Sequence, residues 1–269
     1  MPLIIASPHS GSDYPPEFVA ASRLDPQTLR RSEDAFVDEI FSAAPSLGAP
    51  LLAARFPRAY LDVNREAWEL DPAMFADVLP DYVNARSPRV RMGLGTIARL
   101  VASGEEIYCG KLSFADAKVR IDSLYRPYHA ALSRLVEETA SEFGFCLVVD
   151  CHSMPSGATG AGHDSPDIVL GDCHGASCAP QLVEAARDYL SRYGFAVALN
   201  APYAGGFTTG YYGRPRQRCH ALQIEINRAI YMDEHSYRRR SSFGELRDAM
   251  AGLVGRLGDA AREHLAPPR

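Results

Sequence analysis

The chain has 269 residues, 46% of them hydrophobic and 23% charged, with a net charge of −5 at pH 7. That balance suits a globular protein with a sizeable core and argues against a nucleic acid or an anionic membrane surface as partner. No stretch approaches the roughly 18 apolar residues of a spanning helix.

Met1-Pro2 leads into only four apolar residues with no basic region before them, so no secretion signal is read. Six cysteines (109, 146, 151, 173, 178 and 219) form no C-x-x-C pair and read as reduced thiols, which makes the cytoplasm the expected location. Only Lys111 and Lys118 are lysines. The single basic run, Arg238-Arg239-Arg240, reads as a solvated helix face.

In chain order, Pro2–Ser7 predicts a strand, followed by a Gly/Ser/Pro loop. Ser32-Glu33-Asp34 predicts the opening of an amphipathic helix, with Phe36, Val37, Ile40 and Phe41 apolar. "PLLAARF" and "AYLDVNR" predict short strands, and residues 66 to 110 predict loops. The longest helical pattern runs from Ala115 to Phe143, with Ile121, Leu124, Tyr125, Tyr128, Leu132 and Leu135 on one face. Pro127 is expected to kink or split it. Strands are predicted at 145–150, 167–172, 195–200 and 220–228, helices at Ala179–Tyr193 and Phe243–His264, and "APPR" as a frayed end. Strands alternating with long helices define an α/β class, a sheet with helices on both faces. Without a linker or repeat, residues 1–269 count as one domain.

In such sheets the binding crevice lies beyond the carboxyl ends of the strands. His9, Asp150/His152, Asn200 and Asn64-Arg65 all follow apolar runs there, and Glu225 lies within one, between Ile224 and Ile226. A lone carboxylate in an apolar strand is costly unless it pairs, works beside a metal or stays protonated. Two histidines, an acid and an open fourth position make the ligand set of a catalytic zinc, with a separate carboxylate to take a proton from water. His9, His152 and Glu225 fit three of those four roles. For the acidic ligand, Asp34 and Asp38 lie four apart on the expected helix, so one could ligate and the other orient a histidine; Asp13, Asp150 and Glu33 stay open.

Other chemistries fit less well. Ser153 lacks a G-x-S-x-G elbow, and Cys151 and His152, adjacent on a strand, point to opposite faces. "GGFTTGYYG" (205–213) has no phosphate-loop lysine and reads as a flap or a plain loop. His220, at the start of a strand, is read as a substrate group or a support for one. His129, His163, His174, His235 and His264 read as surface or packing residues.

"SPHSGSDYP", "SEDAFVDEIF", "YLDVNR", "RPYHAAL", "DCHSMP", "DIVLGD" with "GASC", "NAPYAGGFTTGYYGRP" and "LQIEINRAIYMDE" follow in order from Ser7 to Glu234. Together they resemble the N-formylglutamate amidohydrolase family. The resemblance implies a mixed, mostly parallel sheet of the phosphorylase/hydrolase-like type and a relationship to the zinc carboxypeptidases. It also implies one Zn²⁺ per chain and a small acidic N-acyl amino acid as the substrate, hydrolysed to formate and L-glutamate.

On the same basis His9 and His152 are expected as metal ligands and Glu225 as the catalytic carboxylate. Ser12 stands where carboxypeptidases carry a glutamate ligand, so the third ligand falls to Asp38, which resembles the family's helix aspartate, with Asp34 second. Asn64-Arg65 resembles a pair that holds a substrate carboxylate; Thr209 and Tyr212 are expected to line the flap side and His220 the substrate. The alternatives are another N-acyl or gamma-glutamyl amide as substrate, and a non-catalytic binding protein of the same fold.

Overall fold

A computed structural model describes residues 1–158 and 165–266, so that His163 and the last three residues lie outside the described residues. Its strands are β1 (Leu3–Ser7), β2 (Leu51–Ala53), β3 (Cys146–Met154), β4 (Ile168–Gly171), β5 (Val197–Leu199) and β6 (Cys219–Asn227), with a two-stranded ribbon of Met232–Asp233 and Arg238–Arg239. Its helices are α1 (Pro16–Ala21), α2 (Pro26–Leu29), α3 (Val37–Ile40), α4 (Pro88–Arg91), α5 (Phe114–Arg120), α6 (Arg126–Phe143), α7 (Pro180–Arg192), α8 (Phe207–Tyr212) and α9 (Phe243–Leu265). The chain folds into two compact units, each assembled from separated segments. A boundary made of interleaved segments needs no linker, and none is visible in the sequence.

The first unit (Met1–Ser7, Ala35–Leu52, Leu132–Arg269) holds a six-stranded sheet in the order β2-β1-β3-β6-β4-β5. β1, β3 and β6 run parallel; β4 is antiparallel to β6 and parallel to β5. This is the expected α/β class. Alternation along the strands separates two chemistries. Leu147, Val149 and Cys151 of β3 join Leu222, Ile224 and Ile226 of β6 in a core with α7 and α9. The helices supply Leu182, Val183, Ala186 and Leu190 from α7, and Leu246, Met250, Leu253, Val254 and Leu257 from α9, each at three- and four-residue steps. A Cβ on Gly252 would lie 2.0 Å from the Tyr189 hydroxyl, so the close approach of these helices requires glycine there.

The second unit (Pro8–Asp34, Ala53–Ala131) is loop-rich, as the weak periodicity predicted, around buried Phe18, Leu61, Val63, Leu70, Ile97 and Ile107. The expected strand "AYLDVNR" does not form. The Asp62 N–H bonds to the Thr96 carbonyl, and the Asp62 carboxylate takes the Asn64 N–H, so local partners replace a ladder. A Cβ on Gly11 would meet the Phe56 carbonyl at 2.3 Å, which holds the stretch after His9 against residues 54–56.

Two further expectations change. The helix predicted from Ser32 is only Val37–Ile40, because Phe36 has a left-handed backbone (φ 67°) that ends helical continuity before it. Phe36 is held by an edge contact with Phe243 and by the Arg239 guanidinium 4.6 Å over its ring. Arg238 and Arg239 accordingly lie in the ribbon and not on a helix face. The long helix breaks one turn before Pro127, in a π turn at Ile121–Tyr125 that accommodates the missing N–H.

Candidate active site

Asp150 and His152 on β3 face the same side of the sheet as Gln223 and Glu225 on β6, opposite the apolar core. In register, Asp150 pairs with Gln223 and His152 with Glu225. All four are buried. The sequence raised the question of why a carboxylate stands between Ile224 and Ile226, and the answer is geometric. The isoleucines enter the core, while Glu225 joins a polar row and accepts a hydrogen bond from Gln223 Nε2 at 2.9 Å. His152 Nε2 lies 2.9 Å from Asp150 Oδ1. Asp150 Oδ2 accepts from the Thr209 hydroxyl of α8 at 3.0 Å. Cys151, on the other face, joins the apolar core and donates to the Val149 carbonyl, and burial pushes its thiol up.

In the second unit His9 is placed in the same manner. Its Nε2 lies 2.7 Å from Asp62 Oδ1, and its Nδ1 lies 3.3 Å from Asp34 Oδ2. The Asp34 N–H also bonds to the His9 carbonyl, fixing the two segments side by side. Asp62 is fully engaged: Oδ1 also takes the Asn64 N–H, and Oδ2 takes Arg58 Nη2 at 2.7 Å with Arg65 Nη2 at 3.6 Å. Burial alone would raise the Asp62 carboxyl, but Arg65, His9 and Arg58 together hold it well below the ordinary range. A carboxylate accepting one ring N–H fixes the tautomer and leaves the other ring nitrogen as a donor of its lone pair, the arrangement common to metal-bound histidines. His9 with Asp62 and His152 with Asp150 each have a carboxylate at one ring nitrogen. His9, Asp34 and His152 are all buried and all of metal-ligating type.

Thr209 and the Asn64-Arg65 pair lie beside the carboxylates of these histidines, at Asp150 and Asp62 respectively. Asp38 stands in the first turn of α3, half-buried in the sheet-bearing unit, whereas Asp34 is the acid at the ring of His9. The two do not share a helix face, since Asp34 precedes the left-handed Phe36. Arg65 donates Nε to the Leu94 carbonyl and Nη1 to the Asn64 carbonyl, so its fork is spent on the protein, with Asp62 at its third nitrogen. Asn64 is buried beside it.

His220, expected as a substrate group or a support for one, lies on β6 away from Glu225. It pairs with Leu147 at the amino end of β6, five residues before Glu225, a separation of roughly 16 Å along a strand. Its Nδ1 accepts the Ala179 N–H, and burial, with Arg218 adding to it, pushes the ring down to about 4. "GGFTTGYYG", read as a flap or a plain loop, contains α8, with Thr208, Thr209 and Tyr212 buried. Tyr212 lines a cavity of about 290 Å³ with Ser133, Arg214 and Cys219, and burial pushes its hydroxyl up to about 12. Asp62, Gln223 and the support given by Thr209 had no sequence signal as site residues; the i, i+2 spacing of Gln223 and Glu225 was the one clue available.

The fold and these groups define an α/β protein whose sheet carries a row of buried carboxylate, amide and imidazole side chains on one face. Residues 1–232 match the N-formylglutamate amidohydrolase family, and the chain belongs to that family. It is 30% identical over 242 residues to an N-formylglutamate deformylase of Pseudomonas putida, covering 87% of this chain and 83% of the relative. A Pseudomonas aeruginosa deformylase is 29% identical over 240 residues, with 88% and 84% covered. The crystal structure of an N-formylglutamate amidohydrolase from Ralstonia eutropha JMP134 superposes with a TM-score of 0.92 at 38% identity, covering 98% of this chain and 95% of that one. A gene product from Agrobacterium tumefaciens, at 18% identity, shares the fold with a TM-score of 0.67 over 97% and 91%.

Proposed function

We propose that this chain is a zinc-dependent amidohydrolase that cleaves the formyl amide of N-formyl-L-glutamate, releasing formate and L-glutamate. Extended likeness to deformylases across most of the chain supports the reaction and substrate. The observation that carries the chemistry is the repeated carboxylate–histidine pair, Asp62–His9 and Asp150–His152, the support that orients metal-binding imidazoles.

His9, Asp34 and His152 are the proposed ligands, two imidazoles and one carboxylate, residue types that suit Zn²⁺. Asp34 replaces Asp38 in this role because it is the carboxylate at the His9 ring. Held by these residues, Zn²⁺ would supply Lewis-acid polarisation of the formyl oxygen and a more acidic water. Glu225 takes the proton of the attacking water as the C–O bond forms, then passes it to the nitrogen as the C–N bond breaks. Asp62 and Asp150 hold the two rings in one tautomer throughout. Arg65 is assigned to the support of Asp62 and not to the substrate.

The test is turnover by the purified, zinc-loaded protein. N-formyl-L-glutamate should be hydrolysed in preference to N-acetyl-L-glutamate and to N-formyl-L-leucine. Glu225→Gln should keep its zinc and lose about 10²–10⁴-fold in kcat. Absence of formate release by the loaded wild type, or wild-type kcat in Glu225→Gln, refutes the assignment.

A further inference from the structure

We propose that Gln223 is the positioning residue of Glu225, and that with Thr209 it ties this carboxylate to the Asp150–His152 pair. This inference rests on the reading of Glu225 as the proton carrier. Gln223, Thr209 and Asp150 are 3%, 0% and 0% exposed. Their bonds form one chain: Gln223 Nε2 to Glu225 Oε1 at 2.9 Å, Thr209 Oγ1 to Gln223 Oε1 at 3.4 Å and to Asp150 Oδ2 at 3.0 Å, and Asp150 Oδ1 to His152 Nε2 at 2.9 Å.

The terminal torsion of a glutamate is broad, so packing alone does not set the plane of its carboxylate. A hydrogen bond to one oxygen does. The donor also has a determined orientation. If the Gln223 amide were reversed, its carbonyl oxygen would face a carboxylate oxygen with no proton between them. The amide therefore presents nitrogen to Glu225 and oxygen to Thr209, whose single hydroxyl proton is shared between Gln223 and Asp150.

An uncharged donor suits the task. A lysine or arginine at this position would hold the carboxylate equally well, but its full charge would lower the basicity that proton transfer needs. The residue is set by the strand itself, since Gln223 and Glu225 are two apart on β6 and face the same way. Thr209 comes from α8, so the helix within "GGFTTGYYG" supports the base from behind.

The test uses Gln223→Met, which keeps the volume and removes the donor, with Gln223→Asn as a second variant that keeps polarity but shortens the reach. Each is assayed on N-formyl-L-glutamate in the zinc-loaded protein, alone and combined with Glu225→Gln. Loss of a hydrogen bond to a charged group should lower kcat by about 10–100-fold. KM should stay within about twofold, because Gln223 acts through Glu225 and binds no substrate. Added to Glu225→Gln, neither substitution should reduce the residual rate further, since groups that act as a unit are non-additive. A kcat near wild type in both variants, or an equal loss with and without Glu225, overturns the inference. Wild-type kcat in Glu225→Gln alone overturns the underlying reading instead.

Discussion

His152 and Glu225 are register partners on the adjacent parallel strands β3 and β6. Partners in a parallel pair present their side chains to the same face, with strands about 4.8 Å apart. An imidazole and a carboxylate are thus set side by side by the backbone ladder and not by a loop. Both strands are nine residues long and buried nearly throughout, which makes them rigid supports. Glu225, the proposed base, and its neighbouring histidine should keep their spacing when surface loops are altered.

Zinc retention ranks the acids. His9→Ala and His152→Ala should each reduce metal content from about one per chain towards zero, as expected when one of three protein ligands is lost. Asp34→Asn should do the same, while Asp38→Asn should hold near wild-type zinc. Elemental analysis after dialysis measures this. Full zinc in Asp34→Asn with loss in Asp38→Asn would reverse the order proposed from the His9–Asp34 contact.

Asp62→Asn should weaken zinc binding by about 10–100-fold, the usual effect of altering the partner of a ligating histidine. It also leaves Arg58 and Arg65 without their shared countercharge, so the melting temperature should fall. Competition with a chelating dye and a thermal melt separate the two effects. Unchanged affinity would show that Asp62 serves the arginines alone.

Arg65→Lys should act through stability. Lysine cannot reproduce donation to both the Leu94 and Asn64 carbonyls while facing Asp62. The melting temperature should drop, and any loss in kcat/KM should be equal for N-formyl-L-glutamate and for a formyl amide lacking the side-chain carboxylate. A loss confined to the acidic substrate at unchanged stability would return Arg65 to substrate binding.

His220 should make stability depend on pH in the mildly acidic range. The ring stays neutral down to about 4 in the folded chain, against an ordinary value of 6.5. Between those values the unfolded chain binds more protons, so stability rises with pH. The contribution is fully present above pH 6.5 and is lost as pH falls towards 4. His220→Asn, whose Oδ1 can replace Nδ1 as acceptor for Ala179, should flatten the fall in melting temperature between pH 7 and pH 5. Parallel curves for the two proteins would rule this out.

Much of the site could be read locally. The period-two pattern of "CLVVDCHSM" determined by itself that Asp150 and His152 share one face and that Cys151 joins the core. The same pattern in "LQIEIN" turned Glu225 away from its isoleucine neighbours. Periodicity is a short-range property of strands, so no partner is needed to reveal it. The tertiary structure decided which residues stand opposite one another, and that depends on pairing segments far apart in the chain. It set Glu225 against His152 across the sheet, brought Asp62 to His9 over a separation of 53 residues, and sent His220 to the far end of the same strand. It also decided between Asp34 and Asp38. The helical spacing that joined them is interrupted at Phe36, where packing against Phe243 and Arg239 holds a left-handed backbone that an isolated segment would avoid.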